Sequence, residues 1–379
     1  MLLVYLDNSS TTKPCVSAIK NITTCLEENW GNPSSLHSLG IKAESVLSDT
    51  RSAAAKILSC DMDELYFTSG GTEANNISVL GAATALVRRG KRIVTTSIEH
   101  PSVLETCNHL ESQGFEIVRL HPDSDGNISE QAIKDAVTKD TILVSMMLVN
   151  NEIGTIYPIK VAADAVKTVA SPALIHCDAV QAFGKMNIKP KALGIDLMSV
   201  SGHKIHGPKG VGILYKSKKA RINPHVFGGS QEKTLRSGTE PVPAIAGLLG
   251  ALTELNIEDS YKIVARVNSY ARIKLGQIDN IVINSAENTL PYILNFSVTG
   301  YRSETMLHFL ESNNVYVSSG SACAKGKGSY VLHEMKLPTD RIDSALRISF
   351  SKYSSFQDVD RLCESLLDGI KSIRQSYNR

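Results

Sequence analysis

The chain has 379 residues, 42% of them hydrophobic and 21% charged, with a net charge of +2. That length supports two packed cores or one large domain with a smaller one attached, and the near-neutral charge creates no field that would recruit nucleic acid or a membrane surface. The cysteines, Cys15, Cys25, Cys60, Cys107, Cys177, Cys323 and Cys363, are odd in number and lack CxxC spacing, which argues against a disulfide framework and a zinc ribbon.

From the N-terminus, MLLVYLDNSSTTKP is a short apolar run that breaks at once into polar residues. It lacks a basic flank and is too short to span a bilayer, so a cytoplasmic location is expected. YFTSGGTEANNISVLGAA reads as a strand, a glycine turn and a helix beginning near Thr72. The backbone N–H groups of Gly71 and Thr72, with the Thr72 hydroxyl, would face anything bound before that helix, and such an end attracts phosphate. The alternative is an ordinary N-cap with Glu73 in the first turn. There is no Walker pattern, and GPKGVG does not match G-x-G-x-x-G, so nothing points to ATP or a dinucleotide.

Next, KRIVTTS, FEIVRL, TILVSMMLV and ALIHCDAV are apolar runs separated by helical stretches such as PSVLETCNHLESQG and IKVAADAVKTVAS. Continuous apolar strands alternating with helices predict βαβ units, and hence an α/β fold with a mostly parallel sheet covered on both faces. Ligands of such sheets bind beyond the carboxyl ends of the strands. HCDAVQAFG places Asp178 at a strand end with Gln181 three residues later. A carboxylate there is costly to bury unless it meets a cation, such as the protonated nitrogen of a bound heterocycle, or caps a helix. SVSGHKIHGPKGVGILY holds Lys204 in a tight Gly/Pro-punctuated turn between apolar segments. The His203–His206 pair across that turn makes a poor metal site, and no metal is expected.

Beyond about residue 250 the alternation stops. AIAGLLGALTELNIEDSYKIVARVNSYARIKLGQI reads as one long helical stretch crossing into a smaller α+β region. The expected division is 15–255 for a large domain and 256–379 for a small one, with residues 1–14 packing on the latter.

A phosphate-ready helix end, a strand-end carboxylate and a lysine in a tight turn have one common explanation. Lysine forms Schiff bases, and its pKa falls readily on desolvation. Pyridoxal phosphate needs such a lysine, an acidic partner for its ring nitrogen and a phosphate site. With these in view, the chain resembles the class V aminotransferase superfamily of fold-type I pyridoxal-phosphate enzymes, and within it the cysteine desulfurases. YLDNSSTTKP, GNPSSLHSLG, FTSGGTEANN, IEHPSVL, VNNEIGT, HCDAVQAFGK, SGHKIHGPKGVG, LRSGTEP, SSGSACA and ALRISF carry the resemblance along nearly the whole chain.

The resemblance implies that Lys204 bears the cofactor, Asp178 pairs with its ring nitrogen, Gln181 reaches its ring hydroxyl and His100 stacks on its face. His100 could instead be a helix-start histidine before Pro101. Gly71, Thr72, Ser201 and His203 would hold the phosphate, and Thr239 would reach the phosphate of a partner subunit, making a homodimer. Asn151, also counted with the cofactor-binding residues, and Arg347 would hold the substrate carboxylate.

The reaction is selected by Cys323, set among Gly, Ser and Ala and followed by Lys325 and Lys327. Nearby cations favour the thiolate, and that composition is unlike the apolar run around Cys177. The implied chemistry is removal of sulfur from L-cysteine, giving alanine and a persulfide on Cys323 for a sulfur-acceptor protein, an iron–sulfur scaffold or a tRNA-thiolation enzyme. The residues after Cys323, AKGKGSYVLHEMKLP, depart from the Ser/Thr-rich pattern usual in that family, which leaves acceptor choice open. A selenocysteine lyase or other β-eliminating enzyme would tolerate loss of the thiol, and a non-catalytic scaffold of sulfur pathways would tolerate loss of the whole set.

Overall fold

The computed structural model of the chain describes residues 3–319 and 328–373. Its centre is a seven-stranded sheet in the order Leu65–Thr68, Gly212–Lys216, Leu197–Ser201, Leu174–Asp178, Thr141–Met147, Arg92–Thr96, Glu116–Leu120. All neighbours from Leu197–Ser201 to Glu116–Leu120 pair in parallel, and only Gly212–Lys216 runs against its two neighbours. Every residue of Thr141–Met147 is buried, which is why TILVSMM reads as unbroken apolar sequence rather than an alternation. The helices Gly71–Leu86, Pro101–Ser112 and Ile159–Thr168 connect strands of this sheet. The mostly parallel α/β architecture is the one expected.

The parallel topology gathers the carboxyl ends of several strands on one edge. Thr68 leads into Gly70–Gly71, Asp178 ends its strand, and Ser201 ends the strand before the Gly202–Lys204 turn. The site is built on that edge.

The expected long helix near residue 250 is two helices, Val242–Thr253 and Ile257–Leu275. Asn256 ends the continuity: its side chain accepts the N–H of Asp259 at 3.1 Å and starts a new helix. An Asn at that position offers the backbone a cap that competes with helix continuation. The apolar periodicity on either side concealed the break.

Beyond it lie a three-stranded antiparallel sheet, Ala345–Ser349, Ile293–Val298 and Ile281–Ile283, and the helix Phe356–Ser372. The N-terminal strand Val4–Tyr5 pairs in parallel with Val315–Tyr316, and Asn8 donates to the Ser349 carbonyl at 2.9 Å. The chain's first residues are thereby carried back across the carboxyl-edge loops. Among the described residues no helix is long and apolar enough to cross a membrane.

Candidate active site

A cavity of about 530 Å³ opens over the carboxyl edge of the large sheet, within the ~300–1,000 Å³ usual for small-molecule and cofactor sites. Gly71, Thr72, His100, Asn151, Asp178, Gln181, Ser201, His203, Lys204 and Arg347 all line it. Two of the expected residues are not in this set. Thr239 is exposed and lies outside the lining, and Cys323 lies outside the described residues.

The helix Gly71–Leu86 starts at the cavity without a side-chain cap, because its N-cap residue is Gly70. Gly70 has φ +151°, a region that residues with a Cβ rarely enter. A Cβ on Gly71 would lie 2.7 Å from Val180 Cγ2, so the backbone itself lines the cavity there. This is a helix end whose N–H groups are left for an anion. The alternative reading of Glu73 as a first-turn acid also holds: its carboxylate accepts the Ser69 N–H at 2.5 Å and pairs with Arg236 at 3.1 Å.

Asp178 is buried, yet it meets N–H donors rather than a cation. Val180 N–H donates to Oδ1 at 2.9 Å and Asn75 Nδ2 to Oδ2 at 2.7 Å. No helix follows Asp178 before Pro190–Leu193, so the helix-cap reading does not hold; the Val180 N–H closes a local turn on a carboxylate that lines the cavity. Asn75 and Ser102, joined at 2.8 Å, both line the cavity and had no signal of their own in the sequence. Only the spacing of Asn75, one helical turn after Gly71, could have flagged it.

His100 caps the helix Pro101–Ser112, accepting the Ser102 N–H at Nδ1 over 3.1 Å, and its ring also lines the cavity. Burial, aided by Lys204 and opposed by Asp178, holds His100 below its ordinary pKa. His203 is pushed down to about 4 by burial and then by Lys204, Lys209 and Lys185. Both rings are therefore neutral near pH 7.

Lys204 closes the turn Gly202–Lys204, and its Nζ donates to the carbonyls of Ser9 at 2.5 Å and Ser10 at 2.8 Å. Gln181 Nε2 donates to the same Ser9 carbonyl at 2.9 Å. Arg347, 3% exposed, donates to the Asn151 carbonyl at 2.8 Å, to Asp7 at 3.0 Å and to the Ser10 hydroxyl at 2.7 Å. Ser9 and Ser10 went unremarked as site residues because their place depends on the N-terminal strand pairing, which no local motif encodes.

The lining fits pyridoxal phosphate by its own chemistry. Arg347 Nε, Asn151 Oδ1, Asn75 Oδ1 and Ser9 Oγ are buried polar atoms without a partner among the described residues, and native interiors rarely leave such atoms unmatched. The capless glycine end suits a phosphate, Asp178 a ring nitrogen and Lys204 an aldehyde.

The aminotransferase class-V model matches residues 4–362. A NifS/IcsS protein homolog of Lactobacillus delbrueckii subsp. bulgaricus is 41% identical over 94% of each chain. The cysteine desulfurase IscS of Methanosarcina thermophila is 39% identical over 98% of this chain and 93% of its own. A solved NifS-like protein superposes with a TM-score of 0.93 at 34% identity, covering 98% of this chain and all of that one. Fold, cavity and comparisons agree that this chain belongs to the aminotransferase class-V family.

Proposed function

We propose that the protein is a pyridoxal-phosphate-dependent cysteine desulfurase, which takes sulfur from L-cysteine, releases alanine and carries the sulfur as a persulfide on Cys323 to an acceptor protein. The observation that carries this reading is the convergence of Lys204, Asp178 and the uncapped Gly71 helix end in one cavity. The desulfurases among its relatives support the choice of reaction.

Lys204 supplies the amine that holds the cofactor's aldehyde. Gly71, Thr72, Ser201 and His203 would hold the phosphate, Asp178 would pair with the ring nitrogen, Gln181 would reach the ring hydroxyl and His100 would stack on the ring. When bound, pyridoxal phosphate supplies an electron-accepting ring that draws charge from the substrate's α-carbon. Arg347 and Asn151 orient the substrate carboxylate. With substrate in place, the Lys204 amine would be the base that moves the α-proton. The Cys323 thiolate attacks the substrate sulfur, the carbon–sulfur bond breaks with its electrons staying on carbon, and a proton completes alanine.

The active unit in this reading is a homodimer in which Thr239 serves the partner's site. Val16, Ile19, Leu26, Trp30, Leu36 and Ile41 are exposed apolar side chains within the first 41 residues, and Phe227 is 80% exposed further along; a homodimer would give such side chains a partner to cover them. The setting is cytoplasmic.

The test uses purified protein with pyridoxal phosphate, L-cysteine and a reductant. The expected result is alanine and sulfide in equal amounts from the native enzyme, and loss of both by ~10³-fold or more in Lys204→Ala. Undiminished turnover in Lys204→Ala, or no alanine from the native enzyme, overturns the proposal.

A further inference from the structure

Behind the cavity, Lys185 is a buried lysine that the chemistry above does not use. It lies one helical turn after Gln181, since the N–H of Phe183 reaches the Ala179 carbonyl and that of Met186 the Ala182 carbonyl. It is 5% exposed, and its Nζ donates to Gln181 Oε1 at 2.8 Å. Gln181 Nε2 in turn donates to the Ser9 carbonyl, the acceptor that Lys204 Nζ also uses. The chain of contacts therefore runs from Lys185 through the Gln181 amide to the atom that holds Lys204.

A buried ammonium normally meets a carboxylate, because an unpaired charge is costly in a protein interior. Here it does not. A small cavity of about 30 Å³ is lined by Lys185 and Lys204 together, with Tyr292, His206, Cys15 and Lys352. Glu254 is the one carboxylate of that lining among the described residues, and it is committed to the Ser17 N–H at 3.1 Å and faces Lys352 at 3.7 Å. Tyr292 offers Lys185 its ring face at 5.7 Å. Arg347 and Lys204 add like charge, and His203 and His206, held down first by burial, feel Lys185 only as a smaller contribution. Burial first, then Lys204 and Arg347, brings Lys185 down to about 7.

We propose that Lys185 is a positioning residue of the site: it fixes the Gln181 amide with Nε2 toward the Ser9 carbonyl, and as a second cation behind Lys204 it favours the unprotonated form of the Lys204 nitrogen. A lysine suits the first task because it donates to Oε1 in either protonation state; its ammonium form rejects the flipped amide donor to donor, and the flipped oxygen would face the Ser9 carbonyl acceptor to acceptor. It suits the second because a like charge in a poorly solvated site lowers a neighbouring lysine. An aliphatic residue of the same size would fill the space without the desolvation cost, and would do neither.

The inference rests on Lys204 being the cofactor-bearing residue, so the experiment separates the two. Enzyme loaded with pyridoxal phosphate is first reduced with borohydride and mapped; a label on a lysine other than Lys204 sinks both readings. With the label on Lys204, the visible absorption of the bound cofactor is titrated against pH in native enzyme, Lys185→Met and Lys185→Arg. The expected result is a midpoint raised by about one pH unit in Lys185→Met and returned toward the native value in Lys185→Arg. A merely structural lysine would lower the melting temperature of Lys185→Met and leave the midpoint in place, and that result overturns the proposal. If Lys185→Met does not fold, the native titration decides, because two coupled lysines titrate in a broadened curve. A native curve that fits a single one-proton step contradicts it.

Discussion

Lys204, from the middle of the chain, and Arg347, from near its C-terminal end, reach the same N-terminal segment, one through the Ser9 and Ser10 carbonyls and the other through Asp7 and the Ser10 hydroxyl. Lys204 and Asp178 were legible in the sequence because each sits in a local strand–turn motif whose chemistry is carried by adjacent residues. Asn75, Ser9 and Ser10 were not, since their place depends on contacts across 103 residues or more in the cases of Asn75 with Asp178 and Ser9 with Gln181. His100 was read two ways, and the structure gives it both the cap and the cavity wall. Arg347 uses its planar fork on separate acceptors, which a lysine's point charge cannot reproduce. Arg347→Lys is expected to raise the KM for cysteine by ~10-fold or more while leaving the cofactor bound. An unchanged KM from steady-state assays would remove Arg347 from substrate binding.

Among the elements, the strand Leu174–Asp178 both carries the site and stores a pH dependence. His176 lies fully buried between the Ser145 hydroxyl at 2.8 Å and the Ser199 hydroxyl at 3.2 Å. Burial pushes it down to about 4, against a smaller upward pull from Asp178. The unfolded chain takes up the same proton near pH ~6.5. Between those values the unfolded state binds more protons, so stability is present above about pH 6.5 and falls as pH drops toward 4. The contribution at stake is on the order of 3 kcal/mol. Thermal melts of native protein and His176→Gln between pH 7 and 4.5 should show a shallower decline in the variant. Parallel declines would mean that His176 does not set the acid limb. Strands of this sheet were easy to read because full burial leaves continuous apolar runs. The helix break at Asn256 was not, because one capping side chain ended a periodicity that the flanking residues continued.

For the whole molecule, sequence alone pointed to the parallel α/β sheet with its ligand edge, since alternation of strands and helices forces that topology. The pairing of Val4–Tyr5 with Val315–Tyr316 lay beyond it in detail, as two-residue strands carry almost no periodic signal. We propose that the chain divides into units of 15–255 and 256–379, with the N-terminal segment serving as the strap that joins the second to the site of the first. That arrangement brings Arg347, from the second unit, to the same cavity as Lys204.

The account's central claim is a sulfur transfer in which Lys204 serves the cofactor and Cys323 takes the sulfur. It is tested most directly by mass spectrometry of native enzyme and Cys323→Ser, each loaded with pyridoxal phosphate and given L-cysteine without reductant. The account predicts one added sulfur on the native peptide that holds Cys323, and none in a Cys323→Ser enzyme that still binds the cofactor. Added sulfur on Cys107, Cys177 or another thiol, or alanine release undiminished in Cys323→Ser, would contradict it.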